Sequence, residues 1–102
     1  MGLMMLNLEV NTFELGTSKE SALKPLEEAA EAFGAWQLYN KCVCEGKFEL
    51  AKRARENLVY ECCDVIQATA NLMSRFANSD EEIYSTMRRM RENNLKRGRY
   101  GA

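Results

Sequence analysis

Two short acidic motifs are the residues of this sequence best suited to chemistry. The first is Glu27-Glu28-Ala-Ala-Glu31 and the second Glu61-Cys-Cys-Asp64. Both lie in stretches whose apolar residues recur at helical spacing, and residues three apart on a helix are neighbours on one face. Glu28 with Glu31, and Glu61 with Asp64, therefore each make a two-carboxylate claw. Four carboxylates around one space repel one another strongly unless cations sit between them. The chain contains no histidine, so carboxylate oxygens would have to hold any such ion, which selects a hard cation, Mg2+ with Mn2+ as the alternative.

Acidic pairs at this spacing are common on solvated helix faces, where they do nothing specific. Glu61 and Asp64 differ in their setting. They interrupt Leu58-Val59-Tyr60-Glu61-Cys62-Cys63-Asp64-Val65-Ile66, which leaves little solvated surface for a charge, and charges there are seldom left unpaired. Asn71, seven residues after Asp64, returns to the same face and offers an amide.

The missing histidine also excludes Ser-His and Cys-His nucleophilic sites and the Glu-x-x-His di-iron bundles. Cys42, Cys44, Cys62 and Cys63 form C-x-C and C-C clusters, neither of which is the usual zinc spacing. They are expected as reduced thiols, with Cys62 and Cys63 packing as small hydrophobes.

The elements that must position these residues are helices. With 102 residues, one Pro and six Gly, the chain has room for one domain and few breakers. Residues 1–20 form a lead-in with a possible extended piece at Met4, Leu6, Leu8 and Val10, and Phe13 and Leu15 placed to pack on the bundle. A first helix is expected from about Ser21 to Cys42, with Ser21 as a candidate N-cap, Pro25 in the first turn, and an apolar stripe of Leu23, Leu26, Ala30, Phe33 and Gln37. Thr17-x-x-Glu20 is a rival capping box. After a turn at Cys44-Glu45-Gly46-Lys47, a second helix should run from Phe48 to Phe76, with Leu50, Ala54, Leu58, Cys62, Val65, Thr69, Leu72 and Phe76 inward. Ser79-x-x-Glu82 opens a third helix to about Asn94, and residues 96–102 form a basic tail. The spacing thus predicts an all-α domain over residues 21–95: a helical hairpin plus a third helix. Its apolar faces need more cover than one copy supplies, so oligomerisation would complete a four-helix-bundle core.

Composition narrows the class further. Apolar content of 46%, charged content of 28% and a net charge of -1 fit a globular chain and give no global argument for nucleic acid or membrane. No run of about 18 apolar residues appears, and Met1 to Val10 lacks the pattern of a signal peptide. A cytoplasmic location is the expectation.

Taken jointly, Leu26-Glu-Glu-Ala-Ala-Glu31 and Glu61-Cys-Cys-Asp-Val-Ile-Gln-Ala-Thr-Ala-Asn71 resemble the MazG-like all-α nucleoside triphosphate pyrophosphohydrolases, over about Ser21 to Arg75. Asn94-Leu-Lys96-Arg97-Gly98-Arg99 is similar to the basic residues after the last helix in phage and bacterial relatives. The interval from Glu31 to Glu61 is long for that family, which predicts an extended turn at residues 42–48. The resemblance implies Mg2+ held by Glu28, Glu31, Glu61 and Asp64, with Glu27 orienting or deprotonating the attacking water. It implies nucleotide contacts from Asn71 and phosphate contacts from Lys24, Asn94, Lys96 and Arg97, some across subunits. The implied reaction splits a nucleoside triphosphate between its α- and β-phosphates, giving a monophosphate and pyrophosphate, in a homodimer or homotetramer.

Two other readings compete. A non-enzymatic helical dimer could use Arg88, Arg89, Arg91, Lys96, Arg97 and Arg99 on nucleic acid, although no aromatic interleaving accompanies them. A structural helical protein would make ordinary ion pairs of the same acids. Trp36 and Tyr39 are core or dimer residues in the plain reading and base-stacking residues in the sharper one.

Overall fold

The computed structural model describes residues 5–101. It is all-helical, with α1 (Ser18–Cys44), α2 (Phe48–Phe76) and α3 (Asp80–Lys96). There is no strand among the described residues, so Leu6, Leu8 and Val10 form no extended ladder; Met4 lies outside the described residues. None of the described helices is long and apolar enough to cross a membrane.

The helix ends follow from local chemistry. Thr17, not Ser21, caps α1: its hydroxyl accepts from Glu20 N–H at 3.1 Å and Glu20 returns a carboxylate to Thr17 N–H at 3.0 Å. Ser21 is instead a buried residue within the helix. The earlier start puts Pro25 about two turns inside α1 rather than in its first turn. Its ring has no N–H, so the Ser21 carbonyl loses its usual helical donor.

α1 closes on Gly46, at φ 71°. Gly46 N–H donates to Val43 O at 3.1 Å and Lys47 N–H to Cys42 O at 2.9 Å, the paired bonds of a Schellman cap. Only three residues separate α1 from α2. The extended turn expected at 42–48 is therefore absent, because the two helices absorb the interval as extra helical length. Gly98, at φ 69°, ends α3 with the same pair of bonds, Gly98 N–H to Leu95 O and Arg99 N–H to Asn94 O, both 3.0 Å. Ser79 caps α3 by accepting from Glu82 N–H, but the Glu82 carboxylate reaches Asn78 N–H at 2.7 Å.

α1 and α2 pack along their length as an antiparallel hairpin. Ser21, Glu28, Ala35 and Cys42 recur every seven residues on α1. On α2, Ala51, Ala54, Leu58, Glu61, Val65, Ala68, Leu72 and Arg75 alternate by three and four. This is coiled-coil seam spacing. The buried members are small: Ser21, Ala35, Cys42, Ala51, Ala54 and Ala68, with Asn71 beside them. Small side chains at a helix contact allow close approach of the axes.

The seam corrects the expected stripes. Ala54 is buried and Leu58, Val65 and Leu72 are half-buried, but Leu23, Leu26, Phe33, Leu50, Cys62 and Phe76 are exposed. Cys63 is exposed too, so neither adjacent thiol packs inward. Helical rotation places Leu26, Phe33 and Trp36 on the flank of α1 opposite Glu27 and Glu31. It places Val59, Ile66 and Met73 on the flank of α2 opposite Asp64 and Asn71. Phe33 and Trp36 stack there, with ring centroids 5.8 Å apart.

α3 buries none of its residues and makes no comparable packing against the hairpin. It gives the molecule a second long dimension, 49 × 42 × 21 Å.

Candidate functional site

Glu28 and Glu61 both occupy the hairpin seam, at mid-helix, where the spacing otherwise delivers alanine, leucine or valine. One carboxylate oxygen from each of Glu28, Glu31 and Glu61 lies within 4.8 Å of the other two. Glu28 Oε2 and Glu61 Oε2 are buried and have no hydrogen-bond partner among the described residues. Buried polar oxygens are nearly always paired, because leaving one unpaired costs about 1–3 kcal/mol.

The charges around this trio are unbalanced. Among the described residues Lys24 is the cation paired to it, at 3.3 Å from Glu28 Oε1, and it also lies 3.6 Å from Glu27 Oε2. The hydrogen bond to Glu28, the Glu28 charge and the Glu27 charge together raise the Lys24 pKa above that of an ordinary lysine. Glu31 is pushed above the usual carboxylate range. Its hydrogen bond with Glu28 is the largest cause, followed by the Glu28 charge, desolvation and the Glu61 charge, with Lys24 pulling the other way. Lys24 thus pairs with one acid of the trio, and another, Glu31, holds a proton more tightly than normal.

Oxygen donors without nitrogen or sulfur suit a hard divalent cation. Oxygens sharing one octahedral ion stand roughly 3–4 Å apart, so the trio would need only a small closing movement. The two orphaned oxygens are what such an ion would satisfy.

A pocket of about 180 Å³ opens beside the trio, lined by Lys24, Glu28, Asp64, Phe13, Leu15, Gln67, Ala68 and Asn71. The lead-in forms one wall as a strap. Phe13 N–H donates to Asn71 Oδ1 at 2.9 Å, Gln67 Nε2 donates to Asn11 O at 2.8 Å, and Arg75 Nη1 donates to Leu15 O at 2.8 Å. Phe13 and Leu15 thus meet the hairpin through main-chain hydrogen bonds, and the Phe13 ring, expected to pack on the bundle, stays exposed.

The sequence-predicted residues divide into three groups. Glu28, Glu31 and Glu61 converge. Asp64, Lys24 and Asn71 line the adjoining pocket, and Asp64 is outside the converging trio. Glu27 is an exposed neighbour paired to Lys24. Asn94, Lys96 and Arg97 lie at the far end of α3 instead. There Asn94 organises the tail, donating to Tyr100 Oη at 3.4 Å and accepting from Arg99 Nη1 at 3.2 Å. Asn94 and Arg97 line a separate pocket of about 320 Å³ with Thr86, Arg89, Asn93 and Arg99. Lys96 lines neither pocket.

Residues that sequence reasoning missed are Gln67 and Arg75, and Ser21 was singled out only as a cap. Gln67 stands four before Asn71 and bonds to it at 3.0 Å, a spacing that could have drawn attention to it. Arg75 reaches Ser21 Oγ at 3.3 Å as well as the strap; this link between distant segments leaves no local signal. No family model matches the chain, and neither a curated protein nor a solved structure matches it.

Proposed function

We propose that the chain is a divalent-metal-dependent nucleoside triphosphate pyrophosphohydrolase. It would split the α–β phosphoanhydride bond to give a nucleoside monophosphate and pyrophosphate. The observation that carries this reading is the pair of seam glutamates, Glu28 and Glu61, each with a buried oxygen lacking a partner. A structural ion pair would not explain them, because the nearby Lys24 reaches only Glu28 Oε1 and Glu27.

Glu28, Glu31 and Glu61 would hold Mg2+ or Mn2+, with Asp64 one turn further on the same helix face. When bound, the cation neutralises phosphate charge and acidifies a coordinated water. Lys24, at the pocket rim, adds a positive charge for a phosphate oxygen. Glu27 is exposed and next to the trio, so it can accept a proton from the attacking water once Lys24 turns to phosphate. The resemblance of the two acidic motifs to MazG-like enzymes supplies the choice of triphosphate; the carboxylate geometry supplies the metal dependence.

The outward apolar flank of the hairpin and the unpacked α3 support assembly with further copies into a four-helix-bundle core. In such an assembly Asn94, Lys96 and Arg97 would reach a neighbouring subunit's phosphates. Exposed thiols at Cys44, Cys62 and Cys63 fit a reducing cytoplasm.

The deciding experiment is pyrophosphate release from a panel of canonical and modified nucleoside triphosphates, with Mg2+, Mn2+ or excess chelator. Metal-dependent release from any substrate is expected. Folded protein that releases none and binds no Mg2+ by calorimetry would overturn the reading. The alternative of a helical nucleic-acid-binding dimer would then lead, since α3 carries Arg88, Arg89 and Arg91 away from the hairpin. It predicts salt-sensitive binding independent of Mg2+.

A further inference from the structure

The strap is tied down by side chains that still have hydrogen-bonding capacity left. Asn71 is 5% exposed. Its Oδ1 accepts from both Phe13 N–H and Gln67 Nε2, which fixes which end of the amide is oxygen. Its Nδ2 donates to nothing among the described residues. Gln67 Nε2 is spent on Asn11 O and Asn71 Oδ1, so Gln67 Oε1 is left as a free acceptor. Asn71 Nδ2 and Gln67 Oε1 are thus a donor and an acceptor in the pocket wall that no other group occupies among the described residues, and both are open to a ligand.

The rest of the wall matches that chemistry. Phe13 keeps 56% of its surface exposed although its backbone is pinned to α2. A phenyl ring on a fixed main chain, beside Leu15 and Ala68, is an apolar plate next to an amide donor and an amide acceptor. Lys24, Glu28 and Asp64 line the same pocket. Its lining joins apolar and amide groups to charged ones, as a nucleotide joins a planar base to anionic phosphates. About 180 Å³ is less than the usual 300–1,000 Å³ of a site enclosing a whole ligand. A volume of that size suits part of a nucleotide rather than the whole of it.

We infer that the strap of residues 11–15 builds a nucleobase subsite, in which Phe13 stacks on the base and Asn71 Nδ2 with Gln67 Oε1 read its hydrogen-bonding edge. This deepens the pyrophosphohydrolase reading and rests on it. An aromatic plate binds any base, whereas a fixed donor beside a fixed acceptor favours bases presenting the complementary pair. Phe13 is thus an affinity residue, and the two amides select.

The test is calorimetric binding in Mg2+ of three ligands, a nucleoside monophosphate, ribose 5-phosphate and pyrophosphate, to the full chain and its variants. Phe13→Ala is expected to weaken the monophosphate about 10-fold, as stacking losses do, and to leave the other two unchanged. Phe13→Trp should keep the affinity, which separates loss of stacking from loss of the strap. Asn71→Asp retains the acceptor that holds Phe13 and removes the donor, so it should change the ranking of monophosphates carrying different bases. Equal weakening of all three ligands by Phe13→Ala, or no effect on any, overturns the subsite while metal-dependent turnover still upholds the parent reading. Absence of nucleotide binding and turnover in the unaltered chain overturns both.

Discussion

Glu28 and Glu61 sit where the hairpin calls for an apolar side chain, and this conflict is the strongest sign that these residues serve something other than packing. Glu61→Gln keeps the shape and removes the charge. It should reduce metal-dependent turnover by at least about 100-fold, in line with loss of a metal-binding group, and in chelator it should stabilise the fold by about 1 kcal/mol by relieving repulsion with the Glu28 and Glu31 carboxylates. Turnover assays and chelator melts on the same variant test both signs. Glu31 adds a pH signature. The folded chain holds its proton more tightly than the unfolded chain does, so its contribution to stability is complete at low pH. It fades as pH rises through the raised value. Metal-free protein should therefore melt lower at about pH 8 than at about pH 5, and Glu31→Gln should flatten that slope; an unchanged slope would sink the assignment. The two claws were legible because three-residue spacing dictates a shared face. That Asp64 stands apart from the trio was not, since it depends on how α2 is rotated against α1.

At the scale of elements, the hairpin rests on its caps and on a seam of small residues. Thr17→Ala removes the hydroxyl that caps α1 and should cost about 1 kcal/mol, seen as a lower urea midpoint. Ala54→Leu puts extra methylenes into a seam position only 6% exposed and should cost about 1–3 kcal/mol by overpacking, a loss read in the same titration. Both ends of α2 could be read from the sequence, because Gly46 and the Asn78-Ser79 break are unambiguous. The start of α1 was not, because Thr17 and Ser21 compete as caps and only the reciprocal bond from Glu20 decides. The inward face was misjudged for a related reason. Large apolar residues were expected inside, but the chain places alanine, serine and cysteine there and turns Leu26 and Phe33 outward.

For the whole molecule, that inversion has a measurable cost. Its accessible surface is 8419 Å², against about 5,900 Å² for a compact monomer of this mass. Its radius of gyration, 16.6 Å, exceeds the roughly 13 Å of a compact domain of this length. The excess is larger than the roughly 800 Å² per partner that a standard interface buries. The melting temperature should accordingly rise with protein concentration. The double variant Phe33→Glu with Ile66→Glu should sediment as a smaller species; if its mass and the concentration dependence match the parent chain, the flank is not an interface. That further copies cover this surface is an expectation drawn from chain length and left to that experiment; the isolation of α3 was not legible, because its Ile83, Met87 and Met90 stripe reads like that of any packed helix.

Pro25 gives α1 a break in continuity with a consequence for timing. The turns before it hold the cap and, through Ser21 and Arg75, the strap; the turn after it begins the segment with Glu28 and Glu31. With no main-chain bond from residue 25 back to Ser21, fraying at the start of α1 is less tightly coupled to the carboxylates. The strap could then open and reclose many times while the carboxylate cluster keeps its shape, so that entry and departure of a ligand need not disturb the groups that would act on it. Amide exchange would register this as two separate opening rates within one helix, fast up to Lys24 and slow beyond Glu28.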